Sequence, residues 1–198
     1  AMDNDDYRRG KLTNHKVFGD GVAVLAGDAL LTMAFEVIAD SPNVDVAKKL
    51  KIVKEISHAA GPEGMVGGQV IDLESEGKHI DMNTLQKMHR AKTGALFCAA
   101  IRSGAILGDA TDKQLEALTE YARQFGLAFQ ITDDILDVTG DEASIGKPVG
   151  SDEKNHKSTY VTLGSLQSAK DLAQKAVDNA KEALKDFNPL FTLRYSAT

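Results

Sequence analysis

Apolar residues recur at helical spacing along most of the chain, and no sustained alternation of apolar and polar positions occurs. Good helix formers such as Ala, Leu, Lys, Glu and Gln are abundant, and only four prolines interrupt them. No linker or internal repeat divides the chain. The sequence therefore predicts a single all-α domain over residues 1–198.

The pattern predicts six substantial helices. Residues 22–39 are apolar nearly all round, which predicts a central helix buried on most faces. Residues 44–59 form a more amphipathic helix that ends at Gly61-Pro62. The other helices are expected over residues 69–76, 83–107, 111–138 and 168–186.

Two features mark the ends of the helix over 111–138. Thr111 and Gln114 have the spacing of a capping box at its start. After its end, residues 139–157 form a long connection rich in Gly and charge, and connections of this length are usually lids or binding loops. Lys147, Lys154 and Lys157 place positive charge there, either for an anionic ligand or simply as solvated side chains.

Composition and charge narrow the class of protein. Apolar residues make up 42% and charged residues 26%, as in ordinary soluble domains. A net charge of −6 argues against a general binder of nucleic acid or anionic membranes. The single cysteine, Cys98, leaves no internal disulfide and fits a reducing compartment. Asp28 and Glu36 interrupt the longest apolar stretch, which we therefore expect not to span a bilayer. These features predict a soluble, cytoplasmic protein.

An acidic motif near the end of the helix over 111–138 is the first candidate for chemistry. Asp133 and Asp137 are four residues apart, so both carboxylates stand on one helix face, with Asp134 beside them. Stacked carboxylates repel each other unless a cation lies between them, and carboxylate oxygens suit Mg²⁺. A solvated acidic helix end is the alternative interpretation.

The N-terminus combines both signs of charge. Asp3, Asp5 and Asp6 are followed by Arg8 and Arg9 within what would be two helical turns. In a functional interpretation, Mg²⁺ covers the carboxylates while the arginines bind phosphate oxygens in bidentate fashion. A solvated charged segment would have the same composition.

Polar residues inside apolar helices form a third candidate group. Lys92 and Thr93 lie within the apolar helix over 83–107 and can offer an ammonium and a hydroxyl group to a phosphate. Gln130 precedes Asp133 by three residues and therefore shares its helix face. An outward-pointing lysine and a buried, paired amide are the structural alternatives.

Together these segments resemble the trans-prenyltransferases, the short-chain (E)-isoprenyl diphosphate synthases of the farnesyl and geranylgeranyl type. Seven blocks match in the family's order and cover nearly the whole chain. They are residues 2–10 followed by 13–16, then 26–31, 68–72, 92–97, 129–137, 146–152 and 157–160.

The resemblance implies a catalytic bundle of antiparallel helices around a central cavity, with two aspartate motifs facing each other across its mouth. It implies condensation of an allylic diphosphate with isopentenyl diphosphate to a short-chain (E)-polyprenyl diphosphate, farnesyl or geranylgeranyl diphosphate. Three Mg²⁺ ions would stabilise the departing pyrophosphate, and the apolar cavity would keep water from the allylic cation. A cytoplasmic homodimer without nucleic acid or stable membrane insertion is expected.

The resemblance also assigns roles to residues. Metal binding would fall to Asp3, Asp133 and Asp137. The allylic diphosphate would be held by Arg8, Lys92, Lys147 and Lys157, and isopentenyl diphosphate by Arg9. The Gln130 carbonyl and the Thr93 hydroxyl would lie near the developing cation.

Two departures from the family pattern shape the expectation. In the family, two further aspartates of the first motif and earlier helices precede the residue that aligns with Asp3, and residues 1–198 do not include them. We therefore expect residues 1–198 to form the C-terminal two thirds of the family domain. A terpene cyclase of the same fold, a non-catalytic subunit of a prenyl diphosphate synthase and a helical scaffold without ligand remain alternatives. Arg8-Arg9-Gly10 disfavours the cyclase, since a cyclase needs no second diphosphate site, and the intact second motif disfavours the non-catalytic subunit.

Overall fold

The computed structural model describes residues 2, 4–140, 150 and 157–187. Apart from one small hairpin, the regular secondary structure of these ranges is helical, so the all-α prediction is confirmed. The hairpin consists of β1 (Tyr7–Arg8) and β2 (Lys11–Leu12). The helices are α1 (Asn14–Phe18), α2 (Asp20–Asp40), α3 (Val46–Ala60), α4 (Met65–Ser75), α5 (Met82–His89), α6 (Ala95–Leu107), α7 (Asp112–Thr139), α8 (Tyr160–Leu163) and α9 (Leu166–Ala183).

Local sequence signals account for where several helices begin. The Asp45 carboxylate caps α3 by accepting hydrogen bonds from the backbone N–H groups of Ala47 and Lys48. Thr111 and Gln114 form the predicted capping box of α7, each side chain bonding the other residue's backbone N–H. These caps satisfy donors that the first turn of a helix leaves without partners.

The longest helix, α7, organises the packing. Helix α9 lies along it, α6 packs beside it, and α3 packs on the far side of α6. The buried cluster joins α5, α7, α8 and α9 through Leu85, Met88, Ile131, Tyr160 and Ala169. This core fixes the position of the C-terminal half of α7, where the acidic motif lies.

The expectation that the apolar helix is buried is wrong for the described part of the chain. Helix α2 has no buried residue, and Leu25 and Leu30 are 66% and 67% exposed. Its main neighbours among the described residues are α1 and α3. A uniformly apolar pattern predicts that a face needs cover, but not which element supplies it. By length and composition alone, α2 is also long and apolar enough to cross a membrane, so Asp28 and Glu36 do not disqualify it.

The N-terminal charged segment forms a hairpin, which corrects the expectation that it is helical. Tyr7 pairs with Leu12 and Arg8 with Lys11 in an antiparallel hairpin. The two turn residues, Arg9 and Gly10, both have positive φ, at 53° and 71°. Positive φ at both central positions is the requirement of a two-residue hairpin turn, and glycine meets it without steric cost.

The predicted helix over 83–107 is observed as α5 and α6 joined by a π-helical turn, Arg90–Gly94. The backbone therefore continues as one rod, with one residue inserted into its hydrogen-bonding register. The inserted turn contains Lys92 and Thr93, two of the predicted site residues.

Candidate functional site

A cavity of about 470 Å³ opens between the N-terminal hairpin, α4, the π-helical turn, α7 and the segment that precedes α8. Seven of the residues to which the resemblance assigns a role line it, although they come from four separate parts of the chain. They are Arg8, Arg9, Lys92, Thr93, Gln130, Asp133 and Lys157.

Helix α7 contributes one wall through Phe129, Gln130, Asp133 and Asp134. These positions are one helical turn apart in pairs, so they present one continuous surface to the cavity. The Asp134 carboxylate accepts a hydrogen bond from the backbone N–H of Tyr160 at 2.8 Å, which ties α8 to α7. Asp137 follows one turn later, is only 2% exposed and is not among the lining residues.

The π-helical turn faces α4 at close range. The Lys92 ammonium group donates a hydrogen bond to the Asp72 carboxylate, with Nζ and Oδ2 2.6 Å apart. A Cβ atom added to Gly68 would lie 2.2 Å from the Lys92 backbone nitrogen, so α4 can approach this closely only because residue 68 is glycine. Thr93 follows Lys92 on the cavity lining.

Burial shifts the pKa values of two neighbouring groups. His89 lines the cavity, and desolvation lowers its pKa to about 4, so it is neutral at pH 7. The Tyr160 ring contacts it edge-on, with the centroids 5.6 Å apart. Burial, and then the Asp134 carboxylate, raise the pKa of Tyr160 to about 12. Neither His89 Nδ1 nor Tyr160 Oη has a hydrogen-bond partner among the described residues.

The lining carries both signs of charge. Among the described lining residues the cations are Arg8, Arg9, Lys92 and Lys157, and the carboxylates are Asp5, Asp72, Glu76, Asp133 and Asp134. Such a surface suits neither a simple anion nor a simple cation. It fits a polyanion that enters together with a metal ion, because each sign of charge then meets its complement.

The carboxylates of the lining fit a Mg²⁺ ion that binds together with a phosphate ligand. Within the ranges the structure describes, no group of three or more His, Cys, Asp or Glu side chains could hold a metal ion by itself. Mg²⁺ bound with substrate phosphates needs only one or two protein carboxylates, because phosphates and waters supply the other ligands. Asp133 on α7 and Asp5 beside the hairpin can supply those carboxylates.

Other predicted residues lie away from the cavity or outside the residues that the structure describes. Asp137 lies on the predicted helix face but beyond the lining, so its supporting role stays a prediction. Asp3 and Lys147, together with Lys154 and most of the predicted loop over 139–157, lie outside the described residues.

The sequence assigns no role to two of the lining residues, Asp72 and His89. Asp72 lies in the matched block over residues 68–72, and both residues have a signal in the chain. Asp72 follows Gly68 by one helical turn, so the two residues lie on the same face of α4. Gly68 allows this face to approach Lys92 closely, and the Asp72 carboxylate therefore reaches the same neighbour. His89 precedes Lys92 by three residues and therefore points to the same side.

Comparison with known proteins shows close relatives. The model of the polyprenyl synthetase family matches residues 1–192. The farnesyl diphosphate synthase of Geobacillus stearothermophilus is 48% identical over 188 residues, which are 94% of this chain and 63% of that protein. The geranylgeranyl diphosphate synthase of Cyanophora paradoxa is 45% identical over 190 residues, 95% of this chain and 63% of that protein.

A solved structure agrees with these relatives. The geranyltransferase of Helicobacter pylori complexed with magnesium and isoprenyl diphosphate superposes with a TM-score of 0.85 at 33% identity, covering 95% of this chain and 62% of that one. The chain thus spans a little under two thirds of the length of each of these three proteins.

Proposed function

Because the chain belongs to the polyprenyl synthetase family, we propose that its cavity binds an allylic diphosphate and takes part in Mg²⁺-dependent transfer of the prenyl group to isopentenyl diphosphate. The product would be a short-chain (E)-polyprenyl diphosphate, as the names of the farnesyl and geranylgeranyl diphosphate synthase relatives support. The matching fold of the Helicobacter pylori geranyltransferase also supports it.

One observation carries the proposal: four cationic side chains from the hairpin, the π-helical turn and the segment before α8 share a cavity with the Asp133 carboxylate. Arginine forks and lysine ammonium groups are the usual protein partners of phosphate oxygens. A diphosphate would meet Arg8, Lys92 and Lys157, while Arg9 at the tip of the hairpin would contact the second substrate.

Asp133, with Asp5 opposite, would hold Mg²⁺. Mg²⁺ dependence is general in this family. When bound, the ion neutralises charge on the diphosphate and so makes it a better leaving group. The number of ions, three by resemblance, belongs to the same proposal, as do the contributions of Asp3, Asp137 and Lys147.

The uncharged residues of the lining would act on the prenyl group. The amide oxygen of Gln130 and the hydroxyl oxygen of Thr93 are dipoles that can face positive charge developing on the allylic carbon. Phe129 adds an apolar side chain to the same lining, and an apolar surface limits the access of water to a reactive cation.

We further propose that the chain acts as a homodimer in the cytoplasm and does not insert stably into membranes. The exposed apolar surface of α2 supports an interface with a second copy, because a patch of this kind on a soluble protein marks an interaction site. Membership of the polyprenyl synthetase family also favours α2 as an interface with a second copy over α2 as a membrane span.

Binding of substrates to the purified chain tests the proposal. In calorimetric titrations, geranyl diphosphate and isopentenyl diphosphate should each bind in the presence of Mg²⁺, and geraniol should bind at least about a hundredfold more weakly than geranyl diphosphate, since it lacks the charge-assisted contacts. Chelation of Mg²⁺ should abolish most of the difference. Binding of geranyl diphosphate but not isopentenyl diphosphate would instead indicate a cyclase, and binding of neither would indicate a scaffold.

A further inference from the structure

Asp72 lies on α4, outside the motifs assigned to metal or substrate, yet its carboxylate faces the cavity. Its side chain is 9% exposed, and its Oδ2 atom is 2.6 Å from Nζ of Lys92, which is 26% exposed. A buried carboxylate is costly unless a charge partner and hydrogen bonds satisfy it. Lys92 meets that need, and it lies twenty residues away along the chain.

The backbone supports the same pair. Gly68 precedes Asp72 by one turn of α4 and lies against the Lys92 backbone, where any Cβ atom would overlap the backbone nitrogen. Two residues of α4 therefore contact Lys92. Gly68 packs against its backbone, and Asp72 binds its ammonium group. This is more than the accidental meeting of a surface lysine and an acid.

Positioning explains why a carboxylate lies next to a cation that is to bind an anion. A free lysine side chain samples many rotamers, so a ligand would have to immobilise it on binding. An ammonium group has three N–H donors, and the bond to Asp72 uses one of them, so the carboxylate can orient the group without exhausting its donors. An asparagine would accept the same bond through its amide oxygen, but without the attraction between opposite charges.

We propose that Asp72 is a positioning residue, whose carboxylate holds the Lys92 ammonium group in the orientation that receives a diphosphate and acts on the ligand only through that lysine. This inference rests on the proposed function of the cavity. It adds a residue from α4 to a site otherwise built by the hairpin, the π-helical turn and α7.

The first test measures the position of Lys92 without any ligand. The chain and its Asp72→Asn variant are treated with an amine-acetylating reagent, and the rate at each lysine is read by peptide mass spectrometry. Acetylation of Lys92 should accelerate about tenfold in the variant, while exposed Lys78 should react at an unchanged rate. The tenfold factor corresponds to the loss of about 1.4 kcal/mol from one charge-assisted bond.

Glu55→Gln provides the matched control. Glu55 forms a partly buried ion pair with Arg102, 2.8 Å apart, but neither residue lines the cavity. This variant should lower stability without changing the acetylation rate of Lys92. An unchanged rate in Asp72→Asn, or an equal acceleration in Glu55→Gln, would overturn the proposed positioning role.

The second test asks whether the effect on the ligand passes through Lys92. Affinity for inorganic pyrophosphate with Mg²⁺ is measured for the parent chain, Asp72→Asn, Lys92→Met and the double variant. Asp72→Asn should weaken binding about tenfold, and the double variant should bind no more weakly than Lys92→Met alone. Additive losses would mean that Asp72 acts independently of Lys92, against the proposal. Absence of pyrophosphate binding by the parent chain would instead refute the proposed function itself, whatever the acetylation rates.

Discussion

Single side chains decide what the cavity can bind, because the cations and carboxylates among its described lining residues are nearly balanced in number. His89 does not disturb that balance, since burial keeps it neutral at pH 7. Asp133 and Asp134 face the cavity, whereas Asp137 lies one turn, roughly 5.4 Å, further along α7. Helical spacing predicts which face a carboxylate occupies, but it carries no information about where along the axis a cavity ends.

Arg8 and Arg9 should affect different substrates. Arg8 belongs to β1 and Arg9 to the turn, so their side chains leave the hairpin in different directions. In calorimetric titrations, Arg9→Ala should weaken binding of isopentenyl diphosphate more than that of geranyl diphosphate, by about tenfold or more. Arg8→Ala should show the reverse preference, and equal losses for both substrates in both variants would contradict the assignment.

Stability should fall on acidification because of His89. Its pKa is about 4 in the folded chain and 6.5 when unperturbed, so the unfolded state binds the proton more readily. This contribution is therefore fully present above pH 6.5 and is lost as the pH falls towards 4, by at most about 3 kcal/mol.

Urea unfolding of the ligand-free chain at pH 7.5 and pH 4.5 provides the measurement. The loss of unfolding free energy between the two pH values should be smaller in His89→Gln than in the parent chain. His79, which is exposed, offers the control, and His79→Gln should show the parent's loss. A pH dependence in His89→Gln equal to that of the parent would mean that His89 is solvated when folded.

The helices show how far patterns of sequence extend to structure. Residues 83–107 and 111–138 are predicted to within one or two residues, because apolar periodicity and the Thr111 cap are local signals. The π-helical turn at Arg90–Gly94 has no such signal in the apolar pattern, and it lies where Gly68 of α4 meets the Lys92 backbone. The hairpin was missed for a different reason, namely that positive φ at Arg9 is a property of the turn and not of arginine.

Contact between α4 and the π-helical turn should make Gly68 intolerant of substitution. Gly68→Ala places a Cβ atom 2.2 Å from a backbone nitrogen, which must move, so we expect a loss of about 1–3 kcal/mol in urea unfolding. Gly104→Ala in α6 meets no atom within 4 Å and should be neutral or stabilising, because alanine favours helices. Equal effects of the two substitutions would show that α4 does not pack as described.

At the level of the whole chain, α2 is the feature that needs explanation. Most of the large apolar side chains of this 21-residue helix are exposed, from Val22 to Val37, while the core lies around α5, α7, α8 and α9. The sequence predicts correctly that this helix is apolar, but burial depends on contacts that the pattern cannot identify. A second copy of the chain is the partner we propose for this surface.

Light scattering after size-exclusion chromatography tests that proposal. The chain should elute at twice its mass of 21.2 kDa, and Leu30→Glu, which places a charge on the exposed face of α2, should shift it towards the monomer. Val46→Glu adds the same charge at an exposed site on α3 and should leave the dimer intact. A monomeric parent chain, or flotation of the parent with lipid vesicles, would contradict the proposed homodimer without membrane insertion.

Locating the metal and the diphosphate together tests the central proposal most directly. Crystals grown with pyrophosphate and Mn²⁺, which can replace Mg²⁺ and gives an anomalous signal, would show whether both occupy the cavity of about 470 Å³. We predict an anomalous peak about 2.1 Å from a carboxylate oxygen of Asp133, with pyrophosphate oxygens on the far side of the ion in contact with Lys92 and Arg8. Pyrophosphate bound without metal at Asp133, or a cavity that stays empty at millimolar ligand, would contradict it.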